Sequence, residues 1–211
     1  MIRLRIPKYD WTLVHRLSVY PHLAKPKLWE RTGGRAGRFK GEVTEFLRVE
    51  QDRRCAYCMT YLFEESPARD HFAPKASYPQ WTFRPENLVL ACYACNTGRK
   101  DRYDPVARYH RRYRKCEFRI IHPYLDRPGA HLRFSTGALP GILVTGLTTK
   151  GKETAGLFDL MSPERAKERA GSAIMDDNAK RLHKHFREMY LPVLRERIQL
   201  KPATKIRKTE G

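Results

Sequence analysis

Four cysteines fall in two pairs, Cys55-Ala-Tyr-Cys58 and Cys92-Tyr-Ala-Cys95, separated by the 33 residues 59 to 91. A Cys-x-x-Cys turn brings two thiolates to one metal ion, and two such turns complete the tetrahedral four-sulfur shell that zinc favours. A redox pair needs only one such turn, whereas an iron-sulfur cluster accepts the same four thiolates; zinc is the expectation and a cluster its competitor. Four protein sulfurs leave the ion no open position, so it staples the chain, and reaction chemistry must be sought between the knuckles. The fifth cysteine, Cys116, has no partner in sequence and reads as a spare thiol.

Three short segments lie between and beside these knuckles: Arg69-Asp70-His71-Phe72-Ala73-Pro74-Lys75, Pro85-Glu86-Asn87-Leu88-Val89-Leu90 and Cys95-Asn96-Thr97-Gly98-Arg99-Lys100. Phosphodiester hydrolysis needs a base for water, a cation for the charge developing on phosphorus, and help for the departing oxygen. His71, with an ordinary pKa of about 6.5, can be the base, and activity is then expected to fall below about that pH. Asp70 is a hard oxygen donor suited to magnesium or manganese. Neighbours on a strand point to opposite faces, so Asp70 and His71 reach one site only if the backbone twists or turns there. Lys100 stands four residues after Asn96 and on a helix would share its face. It is expected, with Lys75, Arg99 and Arg102, to hold nucleic-acid phosphate. Each residue also has a plainer use: His71 as a core histidine bonded to a carbonyl, Asp70 as a strand-end cap, the asparagines as turn residues.

The rest of the chain must position these groups. Its 211 residues, 41% hydrophobic, suffice for one compact domain or a core with an elaboration. A formal net charge of +19 makes the folded chain repel itself, which a polyanion relieves, so nucleic acid is the expected partner and DNA the first choice. A merely soluble basic protein has the same balance. Residues 1 to 11 alternate apolar and charged side chains without the apolar run of a signal peptide, and no stretch approaches a membrane span. A cytoplasmic, reducing location is expected, in which cysteines serve as ligands.

The expected architecture is α+β. Residues 1–40 form an N-terminal extension, 41–118 the core with the zinc knuckles, 119–200 a hairpin and helical elaboration, and 201–211 a basic disordered tail. A helix is predicted from Gly41 to Gln51, with Val43, Phe46 and Leu47 on one stripe, and Tyr61 to Phe63 as the first hairpin strand. Residues 99 to 119 hold nine basic and three acidic side chains with Tyr103, Tyr109, Tyr113 and Phe118 interleaved, which suits either a nucleic-acid track or a solvated basic face. Leu132 and Phe134 pair with Ile142 to Thr145 across a Gly-rich turn. Ser162-Pro163-Glu164 starts a helix that continues to about residue 200 and is expected to break near Pro192.

The order His71, Asn87, Asn96, framed by the two cysteine pairs, resembles the HNH endonuclease family in its four-cysteine zinc form, over about residues 50 to 104. The resemblance implies a ββα-metal core whose hairpin carries Asp70 and His71 and whose following helix carries Asn96. It assigns His71 as general base, Asp70 and Asn96 as ligands of a catalytic divalent ion, magnesium or manganese, and Asn87 as the residue that braces the hairpin. A narrower likeness runs loosely over residues 45 to 170. The Asp70-His71-Phe72-x-Pro74-Lys75 string, Pro123-Tyr124-Leu125-Asp126, Phe134, Gly137, Lys150-Gly151, Thr154, Leu157, Leu160 and Arg165 look like the HNH nucleases of bacterial Septu and retron-associated anti-phage systems. That likeness implies an ATPase partner that controls the nuclease.

Three readings follow: an active endonuclease, a zinc-supported nucleic-acid-binding module that no longer cuts, and a restriction-like enzyme. The last needs a base-reading element that the sequence does not identify.

Overall fold

The computed structural model describes residues 3–5, 10–63, 67–137 and 140–199, with 186–199 described by backbone alone. It divides into two units, Met1–Arg169 and Ala170–Gly211. The first is α+β, with helices and three separate two-stranded antiparallel sheets.

Its N-terminal part is built into the core rather than laid beside it. Helix α1 (Trp11–Ser18) begins where the Asp10 carboxylate accepts from the Thr12 and Leu13 amides, and it buries Leu13 and Leu17. The short α2 (Lys25–Trp29) delivers Trp29, and α3 (Gly34–Glu50) buries Ala36, Phe39, Val43 and Leu47 at helical spacing. The helix predicted from Gly41 therefore starts earlier, at Gly34, and crosses the expected division at residue 40. Gly34, Gly37 and Gly41 read as breakers in sequence. Gly37 instead serves packing, because a Cβ there would lie 2.1 Å from the Thr32 carbonyl oxygen.

The end of α3 is tied to the site hairpin. Gln51 donates from its amide to the Leu90 carbonyl at 2.9 Å and accepts from the Leu90 amide at 2.9 Å. Strands β1 (Ala68–His71) and β2 (Leu88–Ala91) pair antiparallel, with Asp70 opposite Val89 and His71 opposite Leu88. The strand expected at Tyr61 to Phe63 is not present; the pairing of Tyr61 with Arg54 is an isolated bridge rather than part of a strand. Those residues instead close the first cysteine knuckle.

After β2 the chain enters a helix that is π rather than α over Ala94–Lys100, with the Asp101 amide bonding the Asn96 carbonyl five residues back at 2.8 Å. Strands β3 (Val106–Arg108) and β4 (Glu117–Phe118) form the second sheet, and α4 (Pro128–His131) precedes the third, β5 (Leu132–Phe134) with β6 (Val144–Gly146). That last hairpin falls where the alternating residues put it. Helix α5 (Thr149–Leu157) is capped by Thr148, and α6 (Pro163–Gln199) starts after Ser162, whose hydroxyl accepts from the Arg165 amide at 3.3 Å. No break occurs at Pro192, since α6 runs through it to Gln199. The expected tail, 201–211, lies outside the described residues. Among the described residues, no helix is long and apolar enough to cross a membrane.

Candidate functional site

The sulfurs of Cys55, Cys58, Cys92 and Cys95 all lie within 4.8 Å of one another, and Cys58 Sγ is 3.7 Å from Cys92 Sγ. A tetrahedral zinc with Zn–S bonds of about 2.3 Å requires sulfurs about 3.8 Å apart, so the donor set fits a structural zinc. Local turns make the first knuckle: Cys55 donates its amide to the Thr60 carbonyl, and Met59 takes a left-handed φ of 68°. In the second, the Cys95 and Asn96 amides both reach the Cys92 carbonyl. Hydrogen bonding from Cys55 lowers Cys58 and lowers Cys92 to about 7, while Cys55, chiefly through burial, and Cys95, chiefly through its bond with Cys55, are pushed up. All four could be thiolates at this spacing only with a cation among them. Arg165, from the first turn of α6, lies against the cluster with its guanidinium 3.8 Å from Cys95 Sγ.

Asp70 sits on β1 with 6% of its surface exposed. Its Oδ2 accepts from the Tyr57 hydroxyl and its Oδ1 from the Lys100 ammonium at 3.0 Å. Lys100, only 2% exposed, also donates to the His71 carbonyl oxygen at 2.9 Å. Burial pushes the Asp70 carboxyl above its usual range, opposed by Lys100 and Tyr57. As placed, this carboxylate fits an ammonium and not a divalent ion, and Lys100, expected on substrate phosphate, is turned inward.

The neighbouring His71 side chain shares no partner with Asp70, as adjacent positions on a paired strand dictate. Its Nε2 lies 2.9 Å from the Thr82 carbonyl oxygen, and its ring packs edge-on against Trp29 of α2, centroids 4.4 Å apart. A carbonyl only accepts, so Nε2 carries the proton and Nδ1 keeps the lone pair. Burial lowers the ring to about 3, so it stays neutral well below the pH near 6.5 at which sequence alone placed the loss of the base.

Asn87 is fully buried and its amide is spent on the segment that follows β1. Oδ1 accepts from the Ala73 amide at 2.7 Å and the Tyr113 hydroxyl at 2.9 Å; Nδ2 donates to the Ala73 and Trp81 carbonyls at 3.0 and 3.2 Å. His122 extends the chain: its Nδ1 accepts from the Tyr124 amide, so Nε2 donates to the Tyr113 hydroxyl at 2.8 Å. Asn96 is half-buried near the start of the π-helix, and the side-chain hydrogen bonds of Asp70 go to Tyr57 and Lys100 instead. Lys75 pairs with Glu30 at 2.6 Å, Arg99 with Asp159 at 3.1 Å, and Arg102 is exposed. Sequence reasoning passed over Tyr57, Thr82, Trp29 and His122, whose roles come from contacts across the fold, and it read Tyr113 as part of a nucleic-acid track or solvated face although the residue is buried against Asn87 and His122. Only Tyr57, inside the first knuckle, carried a positional hint.

The chain is similar to protein ea31 of Escherichia phage lambda, 33% identical over 81 residues, which cover 38% of this chain and 24% of that protein. It is also similar to Septu protein PtuB of Bacillus thuringiensis, 32% identical over 100 residues, 46% of this chain and 35% of that one. The matched regions thus span about a quarter and about a third of these relatives. No family model and no solved structure matches the chain.

Proposed function

We propose that the chain is a metal-dependent HNH-type endonuclease that hydrolyses phosphodiester bonds, of DNA first, in anti-phage defence. The observation that carries this reading is His71. A neutral imidazole with Nε2 committed to a carbonyl keeps Nδ1 as a proton acceptor, on a hairpin joined through a four-cysteine cluster to the helix of Asn96 and Lys100. In this reading Nδ1 takes the proton from water, and Asn87, with Tyr113 and His122 behind it, holds the segment after the histidine at Ala73 and at Trp81, next to Thr82. Asp70 and Asn96 are the proposed ligands of the divalent ion, which would polarise the phosphate. Their use requires Lys100 to leave Asp70, and a released Lys100 would join Lys75, Arg99 and Arg102 on phosphate. The likeness to Septu protein PtuB supports the defence role; an ATPase partner is what the family resemblance alone implies.

A second reading has its own observation. With Trp29 against His71 and Lys100 on Asp70, both groups are engaged from within, as in a binding module that no longer cuts. The test is cleavage of plasmid and single-stranded DNA by the purified chain with magnesium or manganese, beside His71→Ala and an EDTA control. Cutting by the wild type alone, and only with metal, is expected. Equal cutting by His71→Ala overturns the assignment, and binding without cutting by both favours the module.

A further inference from the structure

The aromatic residues interleaved in the basic stretch separate into two groups. Tyr113 and Phe118 are buried, and Tyr103 is half-buried with its hydroxyl on Glu153 at 2.5 Å, so they belong to the core. Tyr109 is 53% exposed. It stands at the start of the loop between β3 and β4 and packs against both members of a pair of nearly parallel rings. Its centroid is 5.6 Å from Trp81 at 25° and 6.2 Å from Tyr78 at 9°, while Tyr78 and Trp81 stack at 4.8 Å and 19°.

The loop that presents it is held in shape. Cys116, read from sequence as a spare thiol, accepts from the His110 amide at 3.3 Å and donates to the His110 carbonyl at 3.2 Å, and the Arg112 amide donates to the His110 ring at 2.9 Å. Arg111, Arg112 and Lys115 project from this loop, exposed and without an ion pair among the described residues. A half-exposed ring, packed against two more rings and followed in sequence by cations, matches a nucleobase followed by its phosphates. A duplex offers no such base face, because its bases are already stacked on one another. Trp81 immediately precedes Thr82, whose carbonyl anchors His71, so the stack is built on the segment that orients the proposed base.

We propose that Tyr109, backed by Tyr78 and Trp81, is a stacking platform for an unpaired nucleobase, and that Arg111, Arg112 and Lys115 hold the adjoining phosphates, so that the chain binds single strands or locally unpaired segments. The nature of the ligand rests on the nuclease reading; the platform does not depend on cleavage.

The test is fluorescence anisotropy of the full zinc-loaded chain with a labelled oligothymidylate and a duplex of equal length at one fixed salt concentration. Tyr109→Ala is expected to weaken single-strand binding by about 5- to 150-fold, the range set by one base stacked on one aromatic ring, and to leave duplex binding within about twofold. Tyr109→Phe keeps the ring and is expected to stay within about threefold of wild type. Zinc content and circular dichroism of Tyr109→Ala check the fold, and Trp81→Phe offers a second variant that keeps a ring in the stack. Single-strand binding untouched by Tyr109→Ala, or lost equally for both ligands, overturns the platform and leaves the nuclease reading standing. Failure of the wild type to bind either ligand overturns both. A platform that passes while His71→Ala still cuts leaves this inference intact and removes His71 as the general base.

Discussion

Lys100 Nζ lies 3.0 Å from Asp70 Oδ1, an ion pair in which neither side chain is more than 7% exposed. The lysine's charge is also satisfied by the His71 carbonyl, so one ammonium links the main chain of the proposed base to the side chain of the proposed metal ligand. Breaking a buried pair from one side leaves the other charge without compensation. Lys100→Met is therefore expected to cost about 3–5 kcal/mol in urea unfolding of the zinc-loaded protein, and Lys100→Met with Asp70→Asn appreciably less than the two single changes summed. Additivity of the single losses would show that the pair is not coupled. If Asp70 also serves a divalent ion, the Lys100→Met chain should gain thermal stability from manganese more strongly than the wild type.

Removal of zinc is expected to unfold the first unit. A four-thiolate zinc site contributes about 10–16 kcal/mol of apparent binding free energy, comparable to or larger than the whole stability of a small domain at about 5–15 kcal/mol. Cys58→Ser or Cys92→Ser, or a strong chelator, should abolish the cooperative thermal transition by circular dichroism, with zinc release followed by a colorimetric dye. A chelated protein that still melts cooperatively would show that the core does not need the metal.

His122 gives stability a dependence on acid. It is fully buried among Phe72, Phe118, Tyr113 and Tyr124; burial holds its pKa well below the usual value, and Lys150 and Arg84 push it in the same direction. The unfolded chain then binds a proton below about pH 6.5 that the native chain does not, so stability is full above that pH and falls as pH drops through it, by up to about 1.4 kcal/mol per unit. Between about pH 7 and about pH 5 the wild type should lose about 2 kcal/mol more than His122→Gln, measured by urea unfolding. Parallel losses in the two proteins would count against a neutral buried His122.

Tyr113→Phe removes the hydroxyl that joins His122 to Asn87, leaving a buried ring N–H without its acceptor. A cost of about 1–3 kcal/mol is expected. If Asn87 positions the base through this chain, kcat should fall with KM unchanged; an unchanged kcat in a folded variant would restrict Tyr113 to stability.

Two glycines of α5 should respond with opposite signs. A Cβ on Gly151 would meet the His131 carbonyl oxygen at 1.9 Å, whereas one on Gly156 meets nothing within 4 Å. Gly151→Ala must push helix and backbone apart, at a cost of about 1–3 kcal/mol or more. Gly156→Ala should stabilise by roughly 0.5–1 kcal/mol, as glycine in a helix usually yields to alanine. Thermal melts of the two variants decide, and equal shifts would show that the close approach is not rigid.

Much of the site was written locally in the chain. Two Cys-x-x-Cys turns close knuckles through hydrogen bonds a few residues apart, so their spacing alone foretold a four-sulfur cluster. Alternation located the β5–β6 hairpin, and Ser162-Pro163-Glu164 located the start of α6, because caps and strand faces are properties of neighbouring residues. The extent of α3 was hidden by glycines whose purpose, the approach of Thr32 to Gly37, is a packing fact. What the tertiary structure alone decided is where the charged and aromatic groups point. Lys100 meets Asp70 from thirty residues away, Trp29 comes from α2 to cover His71, and Tyr109 stays outside while Tyr113 and Phe118 go in. A residue's type and spacing specify its local face, but its partner is set by the elements that burial brings against that face.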